Sequence, residues 1–204
     1  MVVLRATQKV LRRLSTVVDR PAASDSALGD WYVNRLVLRR QPVLLITSET
    51  SRLTFLTPAR EVRHLPELLP TLVGDRLNRL CPESSFVDRE VAAMQPVVIA
   101  KTTSRSVLGS MVEFAKAIPY YLDMAEEQDR PLDFIEDNLG RFPCHVGGEW
   151  FYPIARANEQ LQNRWGAELN RGPFFNSQAR GPSAAAEWPI RKRMSMTDRS
   201  SHRG

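Results

Sequence analysis

The sequence predicts an α+β fold: a single domain with a mixed or antiparallel sheet of about four to five strands packed against several helices. Three observations carry that prediction. Short β-rich runs follow one another between residues 31 and 57, joined by polar turns. From Leu65 onward, apolar residues recur at helical spacing. One more apolar run, 96–102, then returns between two helical stretches. An α/β fold would need more strand–helix alternation than the chain contains.

Each element has its own local reason. Met1–Arg5 is a β-rich start, and Thr7 is placed to cap a helix with Val10, Leu11 and Leu14 inside and Gln8, Lys9, Arg12 and Arg13 outside. Residues 19–30 hold Pro, Ser, Asp and Gly and read as a loop. Trp31–Leu38, Pro42–Thr47 and Leu53–Thr57 read as an antiparallel meander with turns at 39–41 and 49–52. The unbroken apolar character of the middle run predicts a strand covered on both faces.

Leu65, Leu68, Leu69, Leu72, Leu77 and Leu80 form one helical stripe. Pro70 and Gly74 suit a helix interior poorly, so this helix is expected to begin or bend at Pro70. Val87, Val91 and Met94 mark a second helix. Val107, Leu108, Met111, Phe114, Ile118 and Leu122 make the strongest stripe in the chain, and Pro119 is expected to kink or end it. Residues 123–137 hold seven acids and one arginine. Gly147-Gly148 reads as a hairpin turn, and Ile154, Asn158, Leu161 and Trp165 as a last helix. Beyond about residue 170 periodicity stops, which predicts a domain over 1–170 and a disordered basic tail over 171–204.

Composition narrows the function. The chain has 204 residues, 43% hydrophobic and 25% charged, which excludes wholesale disorder and fibrous repeats. Its net charge of +5 sits mostly in the tail, where residues 177–204 carry six basic and two acidic side chains. The body is nearly neutral and gives little reason to expect a nucleic-acid partner. The tail motif Arg191-Lys192-Arg193 offers weak, non-specific nucleic-acid contact. Two cysteines, Cys81 and Cys144, cannot build a disulfide scaffold and read as reduced thiols of a cytoplasmic protein. No apolar run is long enough to cross a bilayer, and Arg5 and Lys9 interrupt any secretory core, so no membrane partner is expected.

The stretch Lys101–Ser110 carries the main functional expectation. It joins an apolar strand to an amphipathic helix, where free amides and the positive helix end meet. Lys101, Thr102, Thr103, Ser104, Arg105 and Ser106 add charge and hydroxyls there, and Gly109 allows close approach. These are the ingredients of an anion or phosphate site, although Ser110-x-x-Glu113 is a rival capping box that would start the helix later. Asp30 and Trp31 are accessory candidates, as a turn acid beside an aromatic pair able to stack a base or sugar. Cys144-His145 point to opposite faces of a strand and are expected to be structural. Asp133, Glu136 and Asp137 read as a solvated acidic helix face. Neither a metal nor a cofactor is expected from these patterns.

Three blocks are similar to a family of small, functionally uncharacterised bacterial proteins: Leu4-Arg5-Ala6-Thr7-Gln8-Lys9-Val10-Leu11, Leu28-Gly29-Asp30-Trp31-Tyr32, and the segment from Lys101 to Met111. The resemblance runs from the first residue to about Leu122. Val112 stands where an Asn often follows the Met in that family. The resemblance implies a bacterial, cytoplasmic, single-domain protein and assigns no activity. The expected function is therefore a non-catalytic binding domain with an anion site at 101–110. Two alternatives are an enzyme acting on a phosphate-bearing or nucleic-acid substrate through Arg105 and the 123–137 acids, and a protein-interaction module or homodimer using the meander edge or the aromatic 148–152 segment.

Overall fold

The computed structural model describes residues 1–14, 16–80, 83–125 and 130–166. The predicted tail over 171–204 and Cys81 lie outside the described residues.

Five strands build the main sheet: β1 (Val2–Ala6), β2 (Trp31–Leu38), β3 (Gln41–Ser48), β4 (Thr54–Pro58) and β5 (Val97–Lys101), in the order β4-β3-β2-β1-β5. The meander β2-β3-β4 is antiparallel, whereas β1 runs parallel to both β2 and β5. The sheet is mixed, as the sequence predicts. Around it lie α1 (Gln8–Leu11), α2 (Leu65–Leu80), α3 (Ser84–Ala93), α4 (Arg105–Met124), α5 (Pro131–Gly140) and α6 (Pro153–Leu161), with a short hairpin of β6 (Cys144–Val146) and β7 (Glu149–Phe151).

Alternation along the strands explains why helices cover both faces. Val2, Leu4, Trp31, Val33, Leu44, Ile46 and Phe55 point one way and pack with Leu65, Leu69, Val73, Leu77, Val87, Ala157 and Leu161 from α2, α3 and α6. Tyr32, Val43, Leu45 and Leu56 point the other way and meet Val107, Met111, Phe114, Ile118, Ile135 and Leu139 from α4 and α5. Both cores thus rest on the same strands. A fully buried side chain such as Phe114 contributes roughly 1.5–3 kcal/mol to its core.

Two helices do not begin or end at their prolines. α2 begins at Leu65 and runs through Pro70, and α4 runs through Pro119 to Met124. Proline forfeits one helical hydrogen bond at each place. Burial of residues on both sides, Leu69 and Val73 in α2 and Phe114 and Ile118 in α4, holds the helices together across the gap. Ser104, not Ser110, caps α4: its Oγ accepts from the Val107 amide at 3.3 Å. Thr7 precedes α1 without capping it; its hydroxyl donates to Asn34 Oδ1 at 3.0 Å.

Candidate functional site

The β5–α4 junction lies above a row of side chains that crosses the sheet. Register aligns Ala100, Arg5, Tyr32, Thr47 and Thr54 on five neighbouring strands, all on the face that α4 covers. Arg5 Nε donates to the Asp30 carboxylate, and Arg5 Nη1 donates to the Lys101 carbonyl at 3.2 Å. Ser24 Oγ donates to the other Asp30 oxygen. The buried Tyr32 hydroxyl accepts from the Ser104 amide at 3.2 Å, shares a hydrogen bond with Thr103 Oγ1 at 3.2 Å and donates to Glu49 Oε1 at 3.4 Å. The three sequence blocks that carry the family resemblance therefore meet at one place.

Arg52 completes the site from the turn between β3 and β4. Its backbone is left-handed, at φ 62°, and the residue is 4% exposed. The guanidinium reaches under the start of α4, where Nη2 donates to Ser106 Oγ at 3.0 Å and Nε to Ser110 Oγ at 3.2 Å. Among the described residues no carboxylate pairs with it. Burial pulls its pKa below the usual guanidinium value, against the opposing influence of Cys144, Glu49 and Tyr32. It nonetheless stays protonated at neutral pH.

Ser106 and Ser110 form one side of a cavity of about 340 Å³ between α4 and the β6–β7 hairpin. Phe114, Phe142, Pro143 and Trp150 supply its apolar wall, and Glu113 and His145 lie at it as well. Trp150 is 72% exposed and stacks on His145 with ring centroids 4.8 Å apart. Gly109 lines the cavity, and a side chain there would meet nothing within 4 Å. Cys144 is buried at the cavity, and burial pushes its thiol up to about 11, with Arg52 acting in the opposite sense. Its neighbour His145 is exposed, in keeping with alternation along a strand.

The structure places the residues expected from sequence differently. Thr103, Ser104, Ser106 and Gly109 belong to the network or the cavity. Lys101 takes part through its carbonyl, while its exposed ammonium lies 3.7 Å from Asp19; Thr102 is half-buried beside it. Arg105 is exposed and, among the described residues, unpaired, on the outside of the helix start. Asp30 is neutralised by Arg5 and orders the network. Trp31 requires a correction: it is fully buried on the opposite face, 5.1 Å from the Phe55 ring, and has no surface left for a ligand. Its position follows from the pleat, which sends Trp31 and Tyr32 to opposite sides.

The described acids of the 123–137 segment, Asp123, Asp133, Glu136 and Asp137, are engaged elsewhere. Asp123 lies near the far end of α4, about 27 Å along the helix from Arg105, and pairs with Arg39 at 2.6 Å. Asp133, Glu136 and Asp137 converge on Arg79, and Arg76 joins them at Glu136. Glu136 is 1% exposed and Asp133 and Asp137 are only partly exposed, so the expected solvated face is a half-buried ion cluster centred on Glu136. Among the described residues no group of three potential metal ligands occurs, and no helix is long and apolar enough to cross a membrane.

A family model for a domain of unknown function, DUF6933, matches residues 3–156. The chain belongs to the DUF6933 family. The match covers the whole sheet, α1 to α5, the hairpin, Arg52 and the cavity wall, so the site described above is part of the DUF6933 domain itself. No curated protein matches the chain.

Proposed function

We propose that this domain is a non-catalytic binding module for a small anion with an apolar body. Arg52 supplies the charge through Ser106 and Ser110. Phe114, Phe142 and Trp150 face the apolar part. One observation carries the reading: a guanidinium almost wholly out of water, held by two serine hydroxyls and, among the described residues, by no carboxylate. A buried charge is costly unless paired; Arg52 stands behind the cavity wall, and an anion at the Ser106 and Ser110 hydroxyls would offset its charge through them. The left-handed backbone adds roughly 1–2 kcal/mol to what the fold sustains at Arg52. Binding is favoured over nucleophilic chemistry because the thiol at the cavity is held protonated. A bacterial, cytoplasmic setting belongs to the same proposal and rests on the resemblance of the three blocks.

The test compares wild type with Arg52→Met by thermal shift, using benzoate and phenyl phosphate with benzyl alcohol as the uncharged control. Both anions are expected to raise the wild-type Tm and to leave the variant unmoved. No response from wild type, or an equal response from the variant, would overturn the reading. The exposed Trp150 and Tyr152 favour a second reading, a protein-interaction surface on the hairpin. A dimer by light scattering that Trp150→Ala dissociates would select it.

A further inference from the structure

The face of the sheet opposite the Arg52 cavity carries a second basic feature. β1 pairs with β2 only as far as Ala6 opposite Val33, and the chain then turns into α1 beside the free edge of β2. Val10 is buried in the core beneath α1, which sends Lys9, Arg12 and Arg13 outward. Strand alternation places Arg35 on the same side of the sheet as Trp31 and Val33. Among the described residues, these four side chains line one concavity of about 400 Å³. Among the described residues none of the four side chains has an ion pair or hydrogen bond. Residues 1–18 contain no acid at all.

We propose that this concavity binds a run of adjoining phosphate groups. Four cations around one hollow repel each other, and a multivalent anion relieves that repulsion by contacting several at once. Guanidinium groups present paired donors that match phosphate oxygens. Lys9 and Arg13 are separated by about 6 Å along the helical rise, enough for more than one phosphate. Among the described residues the wall holds no aromatic or apolar side chain, so recognition there is by charge. Two sources share this chemistry: a free polyphosphate chain and a nucleic-acid backbone.

The experiment uses the full chain with two probes, inorganic tripolyphosphate by calorimetry and a labelled single-stranded dodecanucleotide by anisotropy, each over a salt series. Arg12→Gln/Arg35→Gln is compared with wild type and with Arg191→Gln/Arg193→Gln, which tests the basic tail. The expected result is at least a tenfold loss in the Arg12/Arg35 variant, with a salt slope shallower by about 1–2. Loss for tripolyphosphate alone supports the site with a free polyphosphate as its source; loss for the oligonucleotide supports it with a nucleic-acid backbone. Neither probe binding, or affinity within twofold of wild type in the Arg12/Arg35 variant, overturns the proposal. So does a loss confined to the tail variant. Removing like charges relieves repulsion, so the variant is expected to melt no lower than wild type, and Lys9→Gln/Arg13→Gln repeats the test should it fail to fold. Benzoate stabilisation reads the Arg52 cavity separately, so either site can fail alone.

Discussion

At the scale of single residues, Arg52 and Cys144 make opposite demands on the fold. Arg52 keeps a charge where water is nearly absent. Because no carboxylate would be orphaned, Arg52→Met is expected to leave stability unchanged or raise it by about 1 kcal/mol. A loss of 2 kcal/mol or more in a denaturant melt would make Arg52 a structural residue instead. Cys144 keeps a neutral thiol. Its folded pKa of about 11 lies above the ordinary cysteine value, so the unfolded chain gives up this proton first as pH rises. The stability linked to it is fully present below about pH 9 and is lost as pH climbs through 11, to a total of roughly 2–3 kcal/mol. Cys144→Ser is expected to flatten that part of the stability–pH curve, as measured by urea melts from pH 8 to 11. An unchanged curve would show that the thiol does not differ between the two states.

At the scale of elements, α5 protects the edge of the sheet. β4 is an edge strand, and an open edge invites pairing with other chains. Glu136 closes it by accepting from the Leu56 amide at 2.9 Å, while Arg76 and Arg79 of α2 hold the same carboxylate at 3.0 and 2.8 Å. Burial works against the charge on Arg79, but the hydrogen bond and charge of Glu136, with help from Asp137 and Asp133, outweigh it and hold the guanidinium above its usual value. One carboxylate thus fastens two helices to the last strand. Glu136→Gln keeps the shape, loses the charge and turns a donor toward donors. It is expected to cost about 3–5 kcal/mol in a chemical melt and to increase aggregation on light scattering. A cost under 1 kcal/mol would mean that the cluster contributes little to holding the edge. On the other side of the molecule Glu90 does similar work with, among the described residues, no cation beside it. Fully buried, it accepts from the Ala27 and Leu28 amides at 2.8 and 3.2 Å and from Trp165 Nε1 at 3.0 Å, tying the loop before Asp30 to α3 and the end of the described chain.

At the scale of the whole molecule, one sheet serves two cores. Successive residues of β2, β3 and β4 enter opposite cores, so neither layer can open without freeing the strands under the other. Phe114→Ala in one core and Leu69→Ala in the other are expected to cost about 3–5 and 2–5 kcal/mol. Each variant should still unfold in a single step, with tryptophan fluorescence and far-UV circular dichroism tracing the same curve. Two separated transitions would show that the layers fold independently. The same arrangement places the Arg52 cavity and the Lys9–Arg35 concavity on opposite faces, so the two proposed sites bind without competing for space.

Periodicity and turn chemistry are local, and they already specify most elements here. The meander 31–57, the return strand near 97–101, the long helix after it, the Gly147-Gly148 hairpin and the last helix all follow from neighbours a few residues apart. The place of Ser104, Ser106 and Gly109 at the start of α4 was legible for the same reason, because a strand-to-helix junction is a local event. What tertiary structure decided is pairing over long sequence distance. Arg52 sits in an ordinary polar turn, and nothing near it in sequence says that it will lie beneath Ser106 and Ser110. Only packing chooses Arg79 and Arg76 as partners for the acids of α5, sends Trp31 into the core, and carries α2 and α4 through their prolines. The physical reason is that a charge or a helix break has a cost fixed by its own chemistry, whereas the burial or partner that offsets it comes from a residue that the fold alone brings near.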